Sequence, residues 1–476
     1  MERRMHAPAL DFAALRRELG LTEDFPDAVR AEAERTADRY AAARVDRTDL
    51  ELVTIDPPGS KDLDQALRVQ SDGDGFLVHY AIADVAALVA PGGAIDEESR
   101  RRGQTVYFPD GNVPLHPREL SENAGSLLPD LDRAAVLWTI GVDGDGNTGE
   151  VHVQRATVRS RARLDYAGVS ADHAAGRLHP AIAGLPGFGA TRSRWALDRG
   201  AVQLDLPDQE VVPAGPGHSR RWTLRLAPRT EVDKWNEQVS LLTGMCAGAM
   251  MFDAGLGLLR TLPAASGEAV DELRAVAANL RVPWPDGASP GEFLAGLTPG
   301  EPSTLALMSA GLRLMRGAGY RALGAGEQTP PVDKSVHAGV GGLYAHVTAP
   351  LRRLADRFAT EACLSIAAGE AAPDWVAAAL PDLGSIMSGS DSVSSTAARK
   401  SIDLAEATVL ADQLGARFGA TVMRDADGKR PAEIFIPEPA VVGPCAPAPS
   451  AGSECTVTVT AADPAAGTIA FAEVPE

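Results

Sequence analysis

No apolar run in the sequence approaches the roughly 18 to 20 residues that span a bilayer. The first residues, Met1-Glu2-Arg3-Arg4, lead into an amphipathic stretch that has no apolar centre of the kind a secretory signal carries. A cytoplasmic location with no membrane partner is therefore expected. Cysteine is scarce: Cys246, Cys363, Cys445 and Cys455 are too few and too scattered for a disulfide framework, and none forms a CxxC. Cys246 and Cys363 lie in apolar helical patterns and read as buried free thiols. Cys445 and Cys455 stand ten apart in a Pro/Ala/Gly-rich loop, where a reducing cytosol argues against a bridge. Positive charge is also short. Lys plus Arg number 45 against 64 Asp plus Glu, a formal charge of −19, whereas nucleic-acid binders usually carry a basic footprint. Internal repeats and long low-complexity tracts are absent.

What is present is a chain of 476 residues, long enough for a large catalytic core with one or two small appendages. Residues 1 to about 47 read as helix, with Phe12, Leu15 and Leu19 at helical spacing. From Leu52 the pattern turns to strand: Leu-Val-Thr-Ile-Asp, then Ala66 to Val69, then Phe76 to Asp84 after the turn signal Ser71-Asp72-Gly73-Asp74-Gly75. Further strands are expected at 136–142 and 149–159. Asp143-Gly144-Asp145-Gly146-Asn147 between them reads as a hairpin turn, because a calcium loop would need a closing glutamate. Residues 231 to about 420 read as mainly helical, interrupted by a Gly-rich stretch at 335–343. After Arg424 strands return at 432–436, 454–460 and 467–472, with a Pro/Ala/Gly linker at 443–452. Three arginine groups permit a local basic path: Arg155, Arg159, Arg161 and Arg163 on one face of a strand, then Arg220, Arg221, Arg225 and Arg229, and Arg100 to Arg102.

The segment Asp56-Pro57-Pro58-Gly59-Ser60-Lys61-Asp62-Leu63-Asp64-Gln65 carries the most chemistry. A strand delivers Asp56, and Pro-Pro-Gly forces a turn. Asp62 and Asp64 project the same way if the chain is extended. Three converging carboxylates repel unless cations neutralise them, and hard oxygen ligands suit Mg²⁺ or Mn²⁺. Such a site activates water and stabilises charge in phosphodiester hydrolysis. The spacing alone serves a solvated Asp-rich loop equally well.

The segment resembles the signature of the ribonuclease II (RNB) exoribonucleases, in which four aspartates follow D-x5-D-x-D-D. The resemblance continues in order through His79-Tyr80-Ala81-Ile82-Ala83-Asp84-Val85, Tyr107 to Ser121, His337-Ala338-Gly339-Val340 and Tyr344 to Arg353. It covers about residues 50 to 420. It implies an α+β fold with three parts: a helical segment at 1–47, an RNB catalytic domain at 48–420, and a small C-terminal β module at 421–476, S1/OB-like and complete or truncated. It also implies a short form without the N-terminal cold-shock domains, hence a weak grip on long RNA. The activity implied is 3′-to-5′ exoribonucleolysis of single-stranded RNA to nucleoside 5′-monophosphates with Mg²⁺ or Mn²⁺; no protein partner is implied. By position, Asp56, Asp62 and Asp64 are catalytic and metal-binding, Gln65 holds the fourth metal position, and Arg352 is the catalytic arginine. Tyr107, Tyr166, Arg353 and Glu237 fall at RNA-contacting places, with Asp356 set to orient Arg352. Where the family has an aspartate, Gln65 supplies no negative charge, which leaves a catalytically weak or silent RNA-binding protein as the alternative. Leu354, Thr360-Glu361 and Ala398 also depart from the family pattern.

Overall fold

The computed structural model describes residues 10–206, 208–215, 221–227, 229–324 and 330–475. The expected signal-free start at Met1 to Arg4, and Arg220, lie outside them. The N-terminal segment is less helical than its spacing suggests. Helix α1 (Phe12–Glu18) is capped by Asp11, which accepts from the Ala14 amide, and the chain then stops at Gly20 with φ +66°. Helix α2 (Asp27–Ala33) starts after Pro26, and a short 3-10 turn precedes β1 (Val45–Asp46). Gly20 and Pro26 break what would otherwise be one helix.

The centre of the chain's first half is a six-stranded sheet. It begins with β2 (Leu52–Ile55), β3 (Gln65–Asp72) and β4 (Gly75–Ala83). Helices α3 (Val85–Leu88) and α4 (Ala94–Arg102) and the hairpin β5 (Val106–Phe108) with β6 (Gly111–Val113) intervene before β7 (Asp132–Val142) and β8 (Thr148–Leu164). The turn joining β7 to β8 is the expected hairpin: Asp143 accepts from the amides of Asp145 and Asn147. Strand order is β1-β8-β2-β3-β4-β7, with β8 also pairing β7. At 17 residues, β8 runs antiparallel to β7 and then parallel to β2, so the circuit from β2 through β7 returns on itself.

Alternation along these strands feeds two cores. Val53, Leu67, Val69, Val78, Tyr80, Ile82 and Trp138 face one side; Leu52, Ala66, Ala81, Leu137, Ala156 and Val158 face the other. The first side is covered by helices that follow α5 (Tyr166–Ala174) and α6 (Leu185–Leu197), after the hairpin β9 (Asp208–Pro213) with β10 (Trp222–Ala227). The central one is α7 (Glu231–Ala254), begun by a Thr230–Asp233 capping box, whose Val239 and Leu242 are fully buried. Each such side chain contributes about 1.5–3 kcal/mol on burial.

The mainly helical region holds a two-stranded antiparallel sheet its composition hid, β11 (Gly257–Thr261) with β12 (Gly319–Leu323). Between those strands lie α8 (Gly267–Asn279), α9 (Pro290–Ala295) and α10 (Pro302–Gly311), with a separate small core. Helix α11 (Leu354–Ala368) follows, then α12 (Asp374–Leu410), whose 37 residues span about 55 Å at 1.5 Å each.

The C-terminal β module closes into a barrel. Its strands are β13 (Arg417–Arg424), β14 (Ala432–Ile436), β15 (Val441–Cys445), β16 (Glu454–Asp463) and β17 (Thr468–Glu473), in the order β13-β14-β15-β17-β16. Five strands close the ring around Val422, Ile434, Val457 and Phe471. All four cysteines are free, and Cys445 lies in a strand rather than a linker. Among the described residues no helix is long and apolar enough to cross a membrane.

Candidate active site

Strands β2 and β3 pair only at Val53 and Leu67, so they separate towards Asp56. The loop 56–64 occupies that opening. Gly59 takes φ +90° in its turn, and the Ser60 amide donates to the Pro57 carbonyl at 3.1 Å. Beyond it the Leu63 amide donates to Ser126 Oγ (3.0 Å), and Ser126 Oγ donates to the Lys61 carbonyl (2.6 Å). Leu63 is fully buried, so Asp62 and Asp64 on either side of it point together, away from that core.

A second segment arrives from nearly 290 residues later. The Leu351 amide donates to Asp64 Oδ1 at 2.7 Å, and Arg352 Nε stands 3.4 Å from Asp64 Oδ2. The β5–β6 hairpin brings Tyr107, whose hydroxyl donates to Asp62 Oδ2 at 3.4 Å. Tyr166 comes from the first residue of α5, whose start is capped by Asp165. These groups line one cavity of about 230 Å³ with Ile55, Asp56, Pro57, Ser60 and Gln65.

Burial dominates the electrostatics. It pushes the Asp56 carboxyl up to about 6 and the fully buried Asp64 carboxyl up to about 8, and raises Asp62 as well. Neighbouring Asp62 adds to the rise at both other aspartates, while Arg352 opposes it. Carboxylates removed from water without a matching cation are costly, so this is where a hard cation or its equivalent is wanted. The all-oxygen donor set fits a divalent ion. The side chains do not close around one as they stand: among the described residues no three acidic, histidine or cysteine groups meet within one ligand shell. Asp64 turns to Arg352, and Gln65 donates its Nε2 proton to the Thr348 carbonyl at 2.5 Å. That bond leaves Oε1 as the acceptor the Gln65 amide has free of it.

The RNB domain family matches residues 44–362, and the C-terminal S1 domain of RNase II-type exonucleases matches residues 416–474. The chain belongs to the RNB domain family. Ribonuclease R of Chlamydia trachomatis is 35% identical over 161 residues, 33% of this chain and 23% of that protein. Ribonuclease R of Vibrio parahaemolyticus is 27% identical over 371 residues, 74% of this chain and 43% of that protein. Both alignments span well under two thirds of those relatives' length. The apo form of Mycoplasma genitalium RNase R superposes with a TM-score of 0.85 at 18% identity, covering 98% of this chain and 78% of that one. At that identity the likeness is one of fold.

Two residues expected at RNA-contacting places, Glu237 and Arg353, are not among those lining this cavity. Glu237 lies on the outer side of α7, paired with Arg229. Its neighbour Asn236 is 9% exposed and donates from Nδ2 to the Tyr166 hydroxyl at 3.2 Å. Four residues on, Ser240 Oγ stands 2.7 Å from the Tyr80 hydroxyl. The helical spacing of 236 and 240 was the available signal for this tyrosine-holding face. Arg353 is held by both oxygens of Asp356, at 2.5 and 2.7 Å. Asp356 thus orients Arg353 and the Ala349 amide, not Arg352; the partner of Arg352 is Asp64.

The expected basic path also changes. On β8 the arginines do not share one face: the register with β2 shifts between Ser160 and Ala162, so Arg155 and Arg159 pair on the side of Val136 and Arg163 on the opposite one, and acids and carbonyls occupy them. Arg155 pairs with Asp84 and Glu361, Arg159 with Asp132, and Arg161 and Arg163 donate to the Thr48 and Ser60 carbonyls. Arg225 pairs with Glu210, and Arg100 to Arg102 with Asp96 and Glu98. Glu361, one of the departures from the family pattern, completes the buried ion group of Arg155 and Asp84 and so acts structurally.

Proposed function

We propose that this chain is a metal-dependent 3′-to-5′ exoribonuclease that hydrolyses single-stranded RNA to nucleoside 5′-monophosphates. The observation that carries the reading is the meeting of Asp56, Asp62, Asp64, Arg352, Tyr107 and Tyr166 in one cavity, although they lie far apart along the chain. Asp56, Asp62 and Asp64, with Gln65 Oε1, are the residues that would hold Mg²⁺ or Mn²⁺. Such an ion supplies activated water and neutralises charge on the phosphate. Arg352, half exposed and lining the cavity, contributes a fixed positive charge that a phosphate can meet. Tyr107 and Tyr166 offer flat faces on which terminal bases stack without regard to sequence.

A 5′-labelled oligoribonucleotide incubated with Mg²⁺ or Mn²⁺, beside the same DNA sequence, tests this. Progressive shortening of the RNA is expected. RNA that stays bound but uncut in both metals sinks the nuclease reading, and equal cutting of DNA sinks the ribonucleotide preference. The bound-but-uncut outcome is the second reading, an RNA-binding protein on a nuclease fold, and Gln65 in place of a fourth carboxylate is the observation that favours it.

A further inference from the structure

The β5–β6 hairpin that carries Tyr107 has only three residues on each strand. An isolated two-stranded ribbon is marginal, so its position must come from outside. Helix α1 supplies a hold. Arg16, 8% exposed, makes a two-bond contact with Asp110 in the hairpin turn: Nη1 to Oδ2 at 3.1 Å and Nη2 to Oδ1 at 2.6 Å. Its guanidinium also lies 4.7 Å above the Phe108 ring, and its Nε is 3.3 Å from Glu23. Helix α1 is fixed in turn. Phe12 meets Trp222 edge-on at 5.2 Å, and Glu18 pairs with Lys400 of α12 at 2.8 Å.

Burial alternates through Val106, Tyr107 and Phe108: buried, 46% exposed, buried. Arg16 grips the inward residue and the turn, and Tyr107 turns outward to the cavity. We infer that Arg16 is a positioning residue, which sets the Tyr107 ring for the last base of the RNA through Asp110 and Phe108. This rests on the ribonuclease reading above. A planar fork bound at two points fixes direction as well as distance, and a stacking ring tolerates only about half an ångström of misplacement. The N-terminal helix is therefore part of the substrate site without touching substrate.

The test uses the full chain, EDTA to prevent cleavage, and an oligoribonucleotide ending in 2-aminopurine, whose fluorescence falls on stacking. Tyr107→Ala sets the reference, a loss on the order of 5- to 100-fold in affinity for one stacked base. Arg16→Ala and Asp110→Asn should each weaken binding several-fold and restore fluorescence partway, and the double variant should do no worse than the weaker single. Asp110→Asn keeps the side-chain shape and carries the comparison if Arg16→Ala unfolds. Single variants that bind and quench like wild type contradict this inference alone, as do losses that multiply in the double variant. Wild-type protein that neither binds nor quenches contradicts the ribonuclease reading, and this inference with it.

Discussion

At the residue scale, Arg352 and Gln65 decide what the aspartates can do. Arg352 is the positive charge paired with Asp64 in the cavity wall. Replacing it by lysine loses the planar fork, so Arg352→Lys should lower kcat by about 10²- to 10³-fold while RNA affinity changes little. Steady-state kinetics with a direct binding titration would separate these. Gln65 donates to the Thr348 carbonyl, a bond no carboxylate can make. Gln65→Asp should thus destabilise the metal-free protein, on the order of 1–3 kcal/mol for the stranded carbonyl and added charge. Mn²⁺ should restore the loss, as read by thermal unfolding with and without the ion; the same loss in both conditions would remove Gln65 from the ligand set. Much of this site was legible in advance, because Asp56, Asp62 and Asp64 sit close in sequence and their directions follow from alternation. Asn236 was not. Helix periodicity ranks faces only once one residue is placed, and Glu237 offered a charge where its neighbour had the geometry.

At the element scale, the paired strands β11 and β12, far apart in sequence, and strands with unusual composition were the hidden parts. Strand β15 reads as a linker because it contains Gly443 and Pro444. Proline is accommodated there because β15 meets β17 only at Cys445 and Phe471, so few ladder bonds are asked of that edge. Strand β13 was obscured by its closeness to the end of α12, with Gly415 at φ +78° marking the break. The buried carboxyl of Glu406 joins α12 to this barrel: it accepts from the Val442 amide at 2.9 Å and from Gln209 Nε2 at 2.7 Å. Burial pushes it up to about 7 from an ordinary 4.5. The folded chain therefore holds this proton more tightly than the unfolded chain. The resulting stability is complete below pH 4.5 and is lost as pH rises through about 7. Glu361 shifts in the same direction, raised to about 7 chiefly by burial, so the wild-type curve alone cannot isolate Glu406. Glu406→Gln should flatten the decline between those pH values in urea unfolding; an unchanged slope would place the titration elsewhere.

At the scale of the whole molecule, a charge of −19 sits beside arginines that are mostly paired with acids or carbonyls. Long-range attraction for RNA is therefore expected to be weak, with binding carried by the cavity if the proposed function holds. Single-stranded binding loses affinity with a log–log salt slope of about −0.7 per phosphate neutralised, and Arg352, the arginine that lines the cavity, sets an expected slope of about −1. A slope steeper than about −4 would mean a basic path the described residues do not show.

Under the proposed function, Asp56, Asp62 and Asp64 remove nucleotides one at a time from the 3′ end. An oligoribonucleotide labelled within its last nucleotide, incubated with Mn²⁺, tests it most directly. Wild type should release the label as a nucleoside 5′-monophosphate from the earliest time point, and Asp64→Asn should release none. Label appearing first in longer fragments, or equal release by the Asp64→Asn variant, would contradict the account.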